Sequence, residues 1–267
     1  MTLAGNTAIR TQFMDDLDLL IDLHVRNARQ APGSDESTRQ AITLARLDPK
    51  HSLKIADLGC GTGASTLTLA KVLPNAEIVA VDMLPAFVER LGERLAAAGV
   101  CERVTPVPAD MADLSFDDAE FDVIWSEGAI YNIGFEDGAR LWRRHLRPNG
   151  RLVVSELTWT TPERPQKIAD HWTQEYPGIG TVRDNLQRLE RAGYQPTAFF
   201  FLPDRCWTDH YHGPLEISLK DFVDRHESTG HGDAARRLAE SELSEADLWR
   251  RFGRWYGYAF YVARVTD

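Results

Sequence analysis

Apolar and polar positions change rhythm repeatedly along this chain. The opening segment has a helical period, with Phe13, Leu17, Leu20 and His24 on one face and Met14, Ile21 and Val25 beside them. Asp15, Asp16, Asp18 and Asp22 fall mostly elsewhere, and the pattern breaks at "RQAPGS". Ser34 is placed to cap a second helix whose first turn carries Asp35 and Glu36, favourable against the helix dipole. From residue 53 onward short apolar runs alternate with helical patterns. "LKIADLG", "AEIVAVD", "RVTPVPAD", "FDVIWSE" and "GRLVVSELTW" read as strands. "ASTLTLAKVL", "PAFVERLGERLAAAG" and "FEDGARLWRRHL" read as helices, the second stopped by Gly99 and the third by Pro148-Asn149-Gly150. "TVRDNLQRLERAGY" is then a helix and "QPTAFFFLP" a strand; residues 214–253 look helical, and "YGYAFYVARV" closes as a strand. Alternating strands and helices predict a parallel α/β sheet covered on both faces.

No repeat, low-complexity tract or long linker divides the sequence, so one domain is expected. Residues 1–48 would form an N-terminal helical cap, 50–205 and 256–267 the core sheet, and 206–255 an insertion over the site.

The stretch "GCGTG" follows the first strand of the alternating region and precedes a helix. In a parallel sheet that is where ligands bind, and glycine lets a ligand approach the backbone. Asp57 lies two residues before Gly59, and Asp82 closes the next strand, where a carboxylate can accept both ribose hydroxyls. A dinucleotide site would share these parts, since Gly59, Gly61 and Ala64 fit a relaxed G-x-G-x-x-G/A pattern. An acid immediately before the loop would repel a diphosphate, however, and suits a ligand with a cationic end. S-adenosylmethionine (SAM), with a sulfonium, an ammonium and no phosphate, is such a ligand.

These residues resemble the class I SAM-dependent methyltransferases. "IADLGCGTGAST" is similar to the family's first motif and "VDML" to its second, while "PADMADLSF", "FDVIWSEGAIYNI" and "LRPNGRLVVSE" are similar to the third, fourth and fifth. The likeness covers roughly residues 50–160 and points to the small-molecule branch. It implies a seven-stranded, mostly parallel Rossmann-like sheet whose last strand is antiparallel. It also implies a cofactor site of Asp57, Gly59, Cys60, Gly61, Gly63, Asp82, Met83, Asp110, Met111 and Ser126. Asp82 would meet the ribose and Asp110 the adenine amino group, with Met111 flanking the ring. Cys60, set between glycines, is a small filler.

The implied reaction is a direct displacement, so positioning the acceptor supplies much of the acceleration. A base is needed only if the acceptor must lose a proton. Glu127 and His210 are the candidates, Glu127 having a cofactor contact or a structural hydrogen bond as its competing role. Tyr131, Asn132, Trp172, Trp207 and Tyr211 are candidate acceptor contacts. The C-x₃-H-x-H spacing of Cys206, His210 and His212 matches no common zinc pattern, so no metal is expected. An NAD-type oxidoreductase, or a SAM-binding protein without methyl transfer, are the alternatives.

Composition narrows the partners. A net charge of −10 disfavours a phosphate backbone, so no nucleic-acid substrate is expected. Three scattered cysteines argue against a disulfide framework. No signal peptide or bilayer-length apolar run is read, which makes a cytoplasmic protein with a small-molecule acceptor and no membrane partner the expectation.

Overall fold

The computed structural model describes residues 16–266. The expected Phe13 and Met14 contacts lie outside them. Eight strands form one sheet: β1 (Lys54–Leu58), β2 (Glu77–Asp82), β3 (Val104–Pro108), β4 (Phe121–Glu127), β5 (Leu146–Trp159), β6 (Gly180–Thr181), β7 (Tyr194–Phe201) and β8 (Tyr256–Val265). Seven follow the order β3-β2-β1-β4-β5-β8-β7, and the two-residue β6 pairs beside β5. The first five run parallel to one another, and β8 is antiparallel to both β5 and β7. The order reverses between β1 and β4, which opens a crevice beyond their carboxyl ends. Both strands are almost wholly buried, as their continuous apolar runs require.

Helices α2 (Asp35–Leu44), α3 (Ala64–Val72) and α4 (Pro85–Ala98) cover one face. Helices α5 (Phe135–Trp142) and α7 (Val182–Arg191) cover the other. Ser34 caps α2 through the amide of Ser37, and Gly99 ends α4 in the left-handed conformation, both as the sequence predicts. The helix expected over 135–146 instead stops at Trp142 and tightens into a 3₁₀ turn over Arg143–His145. Leu146 is already paired with Phe121, and the Pro148-Asn149-Gly150 turn is a bulge inside β5, with Asn149 at φ 63°.

A third cluster caps the carboxyl end of the sheet. A helix through 16–25, α1, buries Leu19 and Leu23 against Tyr211, Leu215, Leu219, Phe222, Ala235 and Ala239. These partners come from the segment leading into α9 (Gly213–Glu227), from α9 itself, and from α10 (Gly232–Phe252). Asp22 accepts from Arg225 and His226, and His24 approaches Glu242. The apolar face of α1 is therefore split: Leu19 and Leu23 pack on helices, whereas Leu17 and Leu20 line a cavity. No described helix is long and apolar enough to cross a membrane.

Candidate functional site

Two cavities meet at the carboxyl end of β1 and β4. The first, ≈ 640 Å³, is bounded by Gly59, Cys60 and Gly61 after β1, by Asp82, Met83 and Leu84 after β2, by Asp110 and Met111 after β3, and by Glu127 and Asn132 after β4. The second, ≈ 660 Å³, is bounded by Trp172, Tyr176, Trp207, Tyr211, Glu245 and Tyr258, among others. Gln30, Ala31, Pro32 and Tyr131 line both.

The glycine loop is tied into this geometry by backbone and by neighbours. The Gly61 amide donates to Asp82 Oδ2 (2.9 Å), and the Leu84 amide donates to Asp82 Oδ1 (3.0 Å), which fixes the carboxylate at the cavity wall. Burial raises the Asp82 pKa against those two amides. Gly61 has φ 55°, and a Cβ there would lie 2.4 Å from Gln30 Oε1. Gly63 does not touch the cavity. At φ 89° it faces Leu91, which a Cβ would meet at 2.2 Å, so its glycine serves the junction of α3 with α4. Cys60 lines the cavity, and burial pushes its thiol well up, consistent with a filler rather than a nucleophile.

Asp57 is fully buried and lies behind the loop. Its Oδ2 accepts from Ser65 (2.9 Å) and Thr66 (2.6 Å), the first turn of α3. Its Oδ1 has no partner among the described residues. Burial, opposed by those hydroxyls and aided by Glu127 and Asp82, pushes its pKa up to about 7. Asp57 thus supports α3 rather than lining the cavity.

Glu127 is engaged on both oxygens. Oε1 accepts from Thr38 Oγ1 (2.8 Å) and Trp125 Nε1 (2.9 Å), and Oε2 pairs with Arg29 Nη1 (3.4 Å). A carboxylate so occupied is a fixed charge at the cavity rather than a free base. Ser126 lies away from both cavities. Its hydroxyl is fully buried within the sheet, has no partner among the described residues, and reaches neither cavity.

The polar, aromatic segment at 205–213 is helical. Arg205–Trp207 forms one turn, α8, and Thr208–His212 a π-helical turn that leads into α9. Trp207 and Tyr211 face the second cavity, and Trp207 stacks on Trp249 at 5.4 Å and 12°. His210 is exposed and lines neither cavity. The buried histidine of this segment is His212, whose pKa burial lowers. Asn132 lies on the first cavity and Trp172 on the second. Among the described residues no group of three His, Cys, Asp or Glu is arranged to hold a metal.

The N-terminal segment through "RQAPGS" was expected as part of a cap, but the docking of its strap at 26–33 on the glycine loop was not. Gln30 accepts from the Thr62 amide (2.9 Å) and donates to the carbonyls of His24 and Asn27 (both 3.0 Å). Arg94 Nη1 donates to the carbonyls of Ala28 (3.1 Å) and Thr62 (2.8 Å), holding strap and loop together. Polarity alone gives no signal for this docking, because both partners are ordinary loop residues.

A family model described as a methyltransferase domain matches residues 55–150. The demethylmenaquinone methyltransferase of Mycolicibacterium gilvum is 36% identical over 177 residues, covering 65% of this chain and 67% of that protein. The chloroplastic tocopherol O-methyltransferase of Arabidopsis thaliana is 26% identical over 192 residues, and the chain spans only 50% of its length. A SAM-dependent methyltransferase from Geobacter sulfurreducens, solved with S-adenosylhomocysteine, superposes with a TM-score of 0.80 at 18% identity, covering 93% of this chain and 98% of that one.

Proposed function

This chain belongs to the class I SAM-dependent methyltransferases, and we propose from that premise that it methylates a small-molecule acceptor held in the second cavity, with the cofactor in the first. The observation that carries the reading is the shared wall: Gln30, Ala31, Pro32 and Tyr131 border both chambers, so two ligands can meet there. The first cavity fits SAM by its donor set. Asp82, pinned by two amides, keeps lone pairs for ribose hydroxyls. Met83, Leu84 and Met111 offer an apolar slot with Asp110 at its rim, while Gly59, Cys60 and Gly61 offer open backbone. Glu127 would set a negative charge towards the cationic end of the ligand.

When bound, SAM supplies a methyl carbon already activated by its sulfonium. The protein's work is then alignment and exclusion of water. Tyr131, Trp172, Trp207 and Tyr211 would orient the acceptor. The strap, α1 and the helices between β7 and β8 would act as a cap within the same domain, leaving a chamber of small-molecule size. The relatives' quinone and tocopherol acceptors are consistent with an acceptor of that size.

Calorimetry tests the cofactor assignment. S-adenosylhomocysteine should bind in clear preference to NAD, and Asp82→Ala should weaken it by about 1–3 kcal/mol. Equal affinity for NAD, or an unchanged affinity in Asp82→Ala, would overturn the assignment.

A further inference from the structure

The wall of the second cavity carries an acid that the fold leaves unmatched. Glu245 lies on α10, one turn before Trp249; it is exposed and lines that cavity. Its neighbours on the helix are paired. Glu242 stands 3.4 Å from His24 Nε2, and Asp247 stands 3.4 Å from Arg251 Nη1. Glu245 makes no ion pair or hydrogen bond among the described residues. The surrounding protein withdraws water from its carboxyl and pushes it up to about 7, with Glu242 adding to the rise and His24 opposing it.

Aromatic rings share this wall: Tyr131, Trp172, Trp207, Tyr211 and Tyr258 line the same cavity. They are held by one another and by rings behind them. Trp207 stacks on Trp249 and lies 5.6 Å from Tyr258, and Trp172 stands edge-on to Tyr256 at 5.1 Å and 64°. Side chains locked in this way lose little freedom when a ligand arrives. A cation is attracted to a ring face, and the more so where water is excluded. The basic groups of the cavity do not oppose such a ligand. Arg251 is taken by Asp247. Helix α6 (Gln166–Glu175) sets Lys167, His171 and Glu175 on one face at four-residue intervals, so its lysine is offset by its own acid.

We propose that the second cavity selects an acceptor bearing a cationic nitrogen, either an amine in its ammonium form or a quaternary ammonium, seated between the Glu245 carboxylate and the rings of Trp172, Trp207 and Tyr211. An ammonium has no lone pair to offer a methyl carbon. The seated nitrogen is therefore a handle, and another atom of the acceptor receives the methyl group. Glu245 borders only the second cavity, whereas Tyr131 borders both, which keeps the handle on the acceptor side of the shared wall.

The proposal rests on the two-chamber reading above, and its test separates the two. Choline serves as the probe, beside its uncharged isostere in which a tert-butyl group replaces the trimethylammonium. Both are titrated by calorimetry at pH 8, where Glu245 is ionised, into the full-length protein with and without S-adenosylhomocysteine. Choline should bind about 10-fold or more tightly than the isostere. Glu245→Gln should remove most of that preference and Trp172→Leu should reduce it several-fold. S-adenosylhomocysteine should bind both variants as it binds the wild type, which reports an intact fold. Equal affinity for choline and the isostere, binding of neither, or a preference that survives Glu245→Gln would overturn the cationic seat. A wild-type protein that prefers choline but fails to bind S-adenosylhomocysteine would overturn the cofactor reading and leave the seat standing.

Discussion

Asp57 shows how one residue at the loop links sequence, stability and pH. An acid just before "GCGTG" reads from the sequence either as a sensor of a cationic ligand or as a support of the loop. In the fold it is a fully buried group that accepts two hydroxyls from α3 on one oxygen and none on the other. Its folded pKa of about 7 stands above the 3.8 of an unperturbed aspartate. A raised acid binds its proton more tightly in the folded state. Its stabilising contribution is present below the unfolded pKa and is lost as pH rises through about 7, up to roughly 4 kcal/mol in all. Asp57→Asn is neutral at every pH and should remove that dependence. Urea unfolding should therefore show the variant gaining on the wild type between pH 5 and pH 8. A difference between the two proteins that is the same at both pH values would refute the assignment. Sequence spacing finds such a residue but cannot tell a loop support from a ligand contact, because both need an acid at the end of β1.

At the scale of elements, the strands were the most legible part. β4 and β8 have the bounds that their apolar runs predict, since both are buried on two faces and alternation is not needed to recognise them. The segment 205–213 was legible in composition but not in phase. A π turn advances side chains differently from an α turn, so it puts His212 inside and His210 outside, which composition alone cannot foresee. Trp207 and His210 should accordingly behave in opposite ways. Trp207→Ala removes a ring stacked on Trp249 and tilted on Tyr258 at 5.6 Å. It should cost about 3–5 kcal/mol of stability and strongly lower turnover, while S-adenosylhomocysteine still binds to the folded fraction. His210→Ala should leave both stability and turnover near wild type. Thermal unfolding with ligand titration reads both variants, and full activity in Trp207→Ala would contradict its place in the acceptor wall. The sequence marks the N-terminal segment through "RQAPGS" as a cap, but not how the strap at 26–33 docks. Its fit depends on Gln30 meeting the Gly61–Thr62 backbone across the fold, a contact no local pattern encodes.

For the molecule as a whole, strands β1 to β4 and the glycine-loop side of the first cavity follow from motifs that lie within residues 55–150, the part the methyltransferase model matches. The second cavity does not, because it is assembled from the strap, α6 (Gln166–Glu175) and the chain just after it, α8, the π turn, α10 and β8, which converge only in the folded protein. That division places the cofactor within reach of sequence reading and leaves the acceptor to geometry. Two chambers sharing Tyr131 and the strap make a definite claim: a methyl group leaves one and arrives in the other. The most direct measurement is incubation of the protein with methyl-labelled SAM and a fractionated small-molecule extract. The account predicts label in a discrete small-molecule fraction, with S-adenosylhomocysteine formed in equal amount and both lost in Asp82→Ala at limiting cofactor. SAM that binds but is never converted to S-adenosylhomocysteine in any fraction would contradict it.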